Sequence, residues 1–356
     1  MNPLPPEPKI RLDSETFALI NEADKLLYQL DGAISILPEN HFIISTLTLL
    51  EAFNSNLVDD LKLSLQNLFK LLVQDDKTEL RKINNYISSL SLGQKLLRNV
   101  SSSSHIIKSI HKELFRDGAS ESGPFGVFRE AQTFVGQYST NQSNAKYIPP
   151  QPQEIPALMQ GLEHYIASNI SYPVIVNAAL IHAQFEMIHP FSSRNGLVGR
   201  ILFQIHLLWK KRLTAPTLQI SEQLHRRRAE YFDRLEDLEK NRSWESWIKF
   251  FLRIVIDAAI HTIATIKKIS SLEQNDYQRI LNKEFVSSAS LKFFDLLFNR
   301  PIISLSFITK ELNLNKQTAN VVITKFLEEK ILEEITGQQR NRMFAYKDYL
   351  DILKHS

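Results

Sequence analysis

Apolar residues recur every three or four positions along most of this chain, which predicts a largely helical protein. Between Ser14 and Leu37, Phe17, Leu19, Ile20, Leu26, Leu27 and Leu30 fall at helical spacing, with Ser14, followed by a carboxylate, as the expected N-cap. A second helix is predicted over about His41 to Leu57, joined to the first by a turn. Leu61 to Leu97 continues as amphipathic helices broken at Asp75-Asp76. After the low-complexity linker Ser101 to Ser104 come a helix over Ile106 to Phe115 and a Gly-rich stretch, Asp117 to Gly126. Two short β-prone runs, Phe128 to Gly136 and Lys146 to Pro150, flank the polar turn Ser139 to Ala145 and predict a hairpin. Helices follow over Glu154 to Ala167, Tyr172 to Ile188 and Leu197 to Leu213. Leu218 to Ser221 leads into a further helix that carries Arg226 to Asp237, and another, Trp244 to Ile269, turns Trp247, Phe250, Phe251 and Ile254 inward. Past Ser270 the pattern changes to three short helices, Phe285 to Phe298, Leu305 to Leu312 and Asn315 to Glu329. Ile331 to Tyr346 then breaks at Thr336-Gly337-Gln338-Gln339 as a two-stranded wing. The fold class is all-α with a small hairpin, in three regions: 1–100, 101–270 and 283–356.

Composition narrows the function without naming it. With 43% hydrophobic and 23% charged residues, the chain is an ordinary globular protein. It has no cysteine, which excludes a disulfide framework and agrees with a reducing cytoplasm, the expected compartment. The first eight residues have neither a basic region nor an apolar run and do not read as a signal peptide. Apolar runs such as Phe42 to Leu50 fall short of the roughly 20 residues of a membrane span, so no membrane partner is expected. A net charge of +3 does not by itself imply nucleic acid.

The chemistry gathers between two apolar helices, in His189-Pro190-Phe191-Ser192-Ser193-Arg194-Asn195-Gly196-Leu197-Val198-Gly199-Arg200. Pro190 cannot continue the first helix and leaves His189 at the loop mouth. Asn195-Gly196 tolerates left-handed angles, and successive N–H groups opening a helix form a cradle for phosphate. Arg200, in the first turns of that helix, reaches the same anion. A base beside a phosphate nest is what moving a phosphoryl-type group to a hydroxyl requires. His182 and His206 do not have zinc-helix spacing and read as core histidines.

These residues resemble the signature of the Fic family, His-Pro-Phe-x-(Asp/Glu)-Gly-Asn-Gly-Arg-x-x-Arg, whose members mostly transfer AMP from ATP to a protein hydroxyl. The resemblance implies His189 as general base, Phe191 as the anchor that packs the loop inward, Asn195 and Gly196 as parts of the nest, and Arg200 as a phosphate contact. Three positions depart from it. Ser193 stands where the family has the carboxylate that holds Mg²⁺, and a hydroxyl is a poor ligand for that hard ion. Arg194 replaces a glycine, to clash with phosphate or to substitute for the metal's charge. Leu197 replaces an arginine, so one charge-assisted fork is missing.

The resemblance extends along the chain. Ser55-Asn56-Leu57-Val58-Asp59-Asp60 is similar to the inhibitory segment Ser/Thr-x-x-x-Glu-Gly/Asn, with Ser55 matching and Asp59 at the glutamate position. Position 197, taken as that carboxylate's partner, is leucine, so no inhibitory ion pair is expected; Asp59 and Asp60 alternatively mark a solvated helix boundary. The hairpin corresponds to the flap that holds a target segment by strand addition. It would place Thr133, Phe134, Val135, Tyr147 and Ile148 beside the target, although Phe134 and Tyr147 taken alone read as packing residues. Tyr231 is a candidate for the ATP pocket, in a region whose mixed charges otherwise read as a solvated face. Residues 283–356 resemble a winged helix-turn-helix with Lys316 to Glu329 in the recognition position. Lys316, Lys325, Arg340 and Arg342 would meet DNA, but Glu328, Glu329, Glu333 and Glu334 dilute them, and protein contact or homodimerisation is the alternative. The expected function is a protein adenylyltransferase using ATP, with a weakened nucleotide clamp and a protein substrate for which the chain itself is one candidate. The alternative is a catalytically degenerate regulator.

Overall fold

The computed structural model describes residues 4–7, 9–37, 41–74, 77–97, 103–116, 124–135, 145, 147–168, 172–281, 286–338 and 340–354. They are mainly helical, in two compact units: residues 1–36, 48–61 and 82–260, and residues 37–47, 62–81 and 261–356. Among the described residues no helix is long and apolar enough to cross a membrane.

In the first unit, α1 (Ser14–Ser35) is capped one residue earlier than expected, by Asp13 and not Ser14. Asp13, in extended backbone, accepts from Thr16 N–H at 2.8 Å, as a carboxylate does for an orphan helix donor. The centre is α7 (Val174–Ile188), buried on nearly every side, as a helix apolar all round must be. It packs on α8 (Asn195–Trp209), α6 (Ile155–Ala167), α1 and α10 (Arg228–Asn241), while α5 (Ser103–Glu113) lies on α6 and α8. Trp247, at the start of α11 (Trp244–Leu281), is fully buried, and its indole donates to Ala179 O at 2.9 Å. Without Pro or Gly from Trp244 to Leu281, nothing stops α11 at Ile269, and it runs on. Further elements of this unit are α4 (Lys77–Leu96), which begins in the other unit's residues, and α9 (Ile220–Arg226). The predicted hairpin appears as one antiparallel bridge, Val135 with Tyr147. Gly136, Lys146 and the turn except Ala145 lie outside the described residues.

α2 (Phe42–Val58) contributes to both units. In the second, α12 (Ser288–Asn299), β1 (Ile302–Ser304), α13 (Leu305–Glu311), α14 (Lys316–Glu328), β2 (Glu333–Glu334) and β3 (Met343–Ala345) form a helical pack with an antiparallel sheet in the order β1-β3-β2. Ala345 stands opposite both Ile302 and Glu333. This element order matches the wing and short helices read from the sequence. Beyond them, α15 (Lys347–Lys354) seats Tyr349, whose hydroxyl meets Thr46 Oγ1 at 2.9 Å, and α3 (Leu65–Gln74) packs on β1.

Candidate functional site

His189 caps the C-terminus of α7 in the left-handed region, φ 49° and ψ 59°. Pro190 disfavours the right-handed helical region for the residue before it, and a left-handed cap is a common way for a helix to end. Arg129 fixes this limb of the loop: its Nε donates to His189 O at 2.9 Å and its backbone N–H to Pro190 O at 2.9 Å. Burial, with the Arg129 guanidinium nearby, lowers His189 to about 4. At neutral pH it is an unprotonated imidazole, able to accept a proton.

Phe191 is fully buried, stacked on the His111 ring at 3.8 Å and tilted against Phe128 and Phe185. The Asn195 side chain closes the loop, accepting from Phe191 N–H and donating to Phe191 O, both at 2.9 Å. Its amide is therefore a brace of the loop and not a phosphate contact, whereas its backbone opens α8. Arg194 neither clashes with the nest nor fills it. It adopts φ 58° where the family signature has glycine, and its guanidinium turns away, donating to Leu114 O at 2.5 Å and lying 3.9 Å above the Phe115 ring. The Arg194 side chain makes no cap hydrogen bond to α8, and the signature's left-handed turn survives at the head of the helix, where orphan N–H groups favour an anion. Leu197 is buried.

Arg200 is buried behind this N-terminus. Its Nε donates to Ser55 Oγ at 2.7 Å, and its Nη2 to Ser55 O at 3.0 Å and Asp59 Oδ1 at 2.8 Å. The expected absence of the inhibitory ion pair is thus overturned: Asp59 pairs with Arg200, not with position 197. The shorter Asp side chain suffices because α2 brings it against Gly196, where an added Cβ would lie 3.0 Å from Asp59 Oδ1 and 2.9 Å from Arg200 Nη1. Burial disfavours the Arg200 charge, but Asp59, Tyr231 and Glu186 hold it more firmly protonated than usual. Burial raises both Glu186 and Glu51 to about 7. Glu51, on α2, accepts from Ser221 N–H at 3.1 Å and Oγ at 2.5 Å. Tyr231 is buried, its hydroxyl 2.9 Å from His182 Nε2. It interacts with the Arg200 guanidinium. His182 is the core histidine expected.

Comparison with known families decides what this loop belongs to. A Fic/DOC family model matches residues 101–207, and a Fic/DOC family N-terminal model matches residues 17–95. The chain belongs to the Fic/DOC family. A probable protein adenylyltransferase of Aquifex aeolicus is 36% identical over 64 residues, 18% of this chain and 20% of that protein. The protein adenylyltransferase Fic of Drosophila grimshawi is 31% identical over 141 residues, 39% of this chain and 25% of that one. The matched region thus spans a fifth to a quarter of the length of these relatives. The crystal structure of a Fic family protein from Desulfovibrio desulfuricans G20 superposes with a TM-score of 0.60 over 96% of this chain and 98% of its own, at 17% identity. A Fic domain containing signalling protein from Bacteroides thetaiotaomicron gives 0.53 over 69% of this chain and 98% of its own, also at 17%. Both share the fold.

Within this Fic fold the flap is rooted to the motif. Val135 and Tyr147 exchange backbone bonds of 2.9 and 3.1 Å. Arg129 Nη1 and Nη2 donate to Ala131 O at 3.1 Å and Pro150 O at 2.6 Å, joining both limbs to the loop. Tyr147 donates its hydroxyl to Met187 O, so that side chain anchors the flap. Ile148 is exposed and Thr133, Phe134 and Val135 are half-buried. The residues do not fit a protein-held Mg²⁺. Position 193 is serine, its carbonyl is engaged by His111 at 3.2 Å, and among the described residues no three metal-binding side chains gather. Arg129, Glu51 and His111 were not singled out from the sequence as site residues.

Proposed function

We propose that this chain is a protein adenylyltransferase that moves AMP from ATP to a hydroxyl of a protein, its own chain included, and that Asp59 restrains it. The observation that carries this reading is the pairing across one loop of a neutral imidazole, His189, with an uncapped helix N-terminus backed by the buried Arg200 guanidinium. The target hydroxyl gives its proton to His189 as its oxygen bonds to the α-phosphorus. The bond from that phosphorus to the oxygen bridging the β-phosphate breaks, and pyrophosphate leaves with the electron pair. The first N–H groups of α8 and Arg200 receive the phosphate charge. No step is assigned to a metal. Asp59, ion-paired with Arg200 and set against Gly196, occupies the anion's place, and its departure frees both. The flap holds the target segment by backbone pairing at Thr133 to Val135 and at Tyr147 and Ile148.

The test is incubation with ATP labelled at the α-phosphate. Asp59→Ala is expected to raise labelling by roughly tenfold or more, the effect of freeing one charged phosphate contact. Adding His189→Ala should abolish it, and label that persists there would refute the base. A second reading, a degenerate regulator acting through the winged unit, draws on the buried Leu197 in place of a phosphate-binding arginine. It is favoured if Asp59→Ala stays silent while Ser193→Asp, Arg194→Gly, Leu197→Arg together restore labelling.

A further inference from the structure

His111 lies on α5, outside the motif, and is 1% exposed. Its Nδ1 accepts from Gly126 N–H at 3.0 Å. A neutral imidazole that accepts at Nδ1 carries its proton on Nε2, and Nε2 is 3.2 Å from Ser193 O. The flat ring therefore donates to the motif loop on one side, accepts from the segment leading to Arg129 on the other, and stacks within 3° of parallel on Phe191. Gly126 is bound to its place, since its φ is 79° and an added Cβ would come 2.9 Å from Lys108 O. Arg129, three residues on, grips the His189 limb of the same loop. One continuous segment thus holds both ends of the turn, at His189-Pro190 directly and at Ser193 through His111.

The hold at Ser193 has a directional consequence. In a planar trans peptide the C=O and the following N–H point in opposite directions. Fixing the Ser193 oxygen toward α5 sends the Arg194 N–H away from it, at the head of α8. We propose that His111 is a positioning residue of the transfer site, which in its Nε2–H tautomer sets the plane of the Ser193–Arg194 peptide and so orients the N-terminal turn of α8 toward the nucleotide phosphate. Asn195 braces the turn from within and Arg194 ties it to Leu114 O; His111 adds the hold on the Ser193 carbonyl.

The inference rests on the adenylyl-transfer reading for its rate measurement alone. Three proteins are compared on the full-length Asp59→Ala background: His111 kept, His111→Phe, and His111→Gln. Phenylalanine keeps the stack on Phe191 and loses both hydrogen bonds; glutamine offers one acceptor and one donor again. The imidazole ¹⁵N shifts of the unmodified chain should show Nε2 protonated and Nδ1 bare, and the opposite tautomer or an imidazolium would overturn the proposal. Amide exchange at residues 194–196 should quicken in His111→Phe and recover in His111→Gln. With ATP, kcat for labelling should fall roughly tenfold in His111→Phe with KM little changed, as for a misaimed transition-state donor, and return with glutamine. If Phe and Gln behave alike in exchange, His111 is only a packing residue and the proposal fails. If no protein transfers label while the tautomer and the exchange pattern hold, the transfer reading fails and the clamp stands.

Discussion

Arg200 is the one motif cation turned into the site, because Arg194 points out and Leu197 carries no charge. In the proposed transfer step His189 is the base, and its pH profile follows from its burial. A base lowered to about 4 from the ordinary 6.5 is unprotonated throughout the neutral range, so labelling by the Asp59→Ala protein should be level between about pH 8 and about pH 6 as far as the base is concerned. It should fall only as the pH drops through about 4. Initial rates across that range check this, and a midpoint near the unperturbed value would mean that His189 is solvated. Phe191→Ala should cost about 3–5 kcal/mol by urea unfolding, as for a buried aromatic that leaves a cavity. At this scale the motif was readable because Pro, Gly and His have few substitutes in a tight turn. The partner of Asp59 was misread: the ion pair depends on which turn of α8 faces α2, and residue spacing within α8 does not carry that information. The direction of Arg194 was equally closed to sequence, since the carbonyl it binds, Leu114 O, lies 80 residues away.

α2 is the element on which the proposed restraint turns. Glu51 and Ser55, four residues apart, share a face of the helix, and Asp59 follows in the turn just past its end. Together they meet Arg200 through Ser55 and Asp59, and Ser221 through Glu51. Glu51 faces Arg200 and Gln204 of α8, Ser221 at the start of α9 and Tyr86 of α4, and burial outweighs them to raise it from 4.5 to about 7. A carboxylate raised on folding favours the folded state when protonated. Its contribution is full below about 4.5 and is lost as the pH rises through about 7; Glu186, raised to about 7 as well, adds in the same direction. The melting temperature should therefore decline from about pH 5 to about pH 8, by roughly 2–4 °C for each kcal/mol lost, and Glu51→Gln should flatten that decline in part. An unchanged slope in Glu51→Gln would show that the carboxylate is solvated and the α2 face open. The helices themselves were legible from apolar spacing. The seat of α15 was not, because it is settled by what packs on it, whereas the run of α11 past Ile269 was open to the sequence in the absence of Pro and Gly and was missed.

For the molecule as a whole, its near-neutral charge of +3 leaves nucleic-acid binding to local arrangement. α14 buries Ala319, Val322, Ile323 and Phe326 and exposes Lys316, Gln317, Asn320, Val321 and Thr324. The order of the elements around it could be read from sequence, since each short helix has its own cap and apolar face. The pairing of the acids could not. Glu334 is held by Arg342 at 2.5 Å and Glu333 by Lys347 at 3.2 Å, so these carboxylates are partly neutralised, and Arg342 is partly neutralised with them. What is left for phosphates is chiefly Lys316 and Arg340, both exposed. Two or so such contacts support only weak binding, with affinity falling by about the second power of salt concentration. In a gel shift with the full-length chain, random and mixed-sequence duplexes should be retarded near 50 mM salt and released by about 200 mM, and Lys316→Ala with Arg340→Ala should remove the retardation. Amides at Gln317 and Asn320 favour adenine edges in a major groove, so Asn320→Ala should alter sequence preference while leaving the salt slope. No retardation at low salt with either pool would remove DNA as a partner and leave the exposed face of α14, with Val321 at its centre, as a surface for protein.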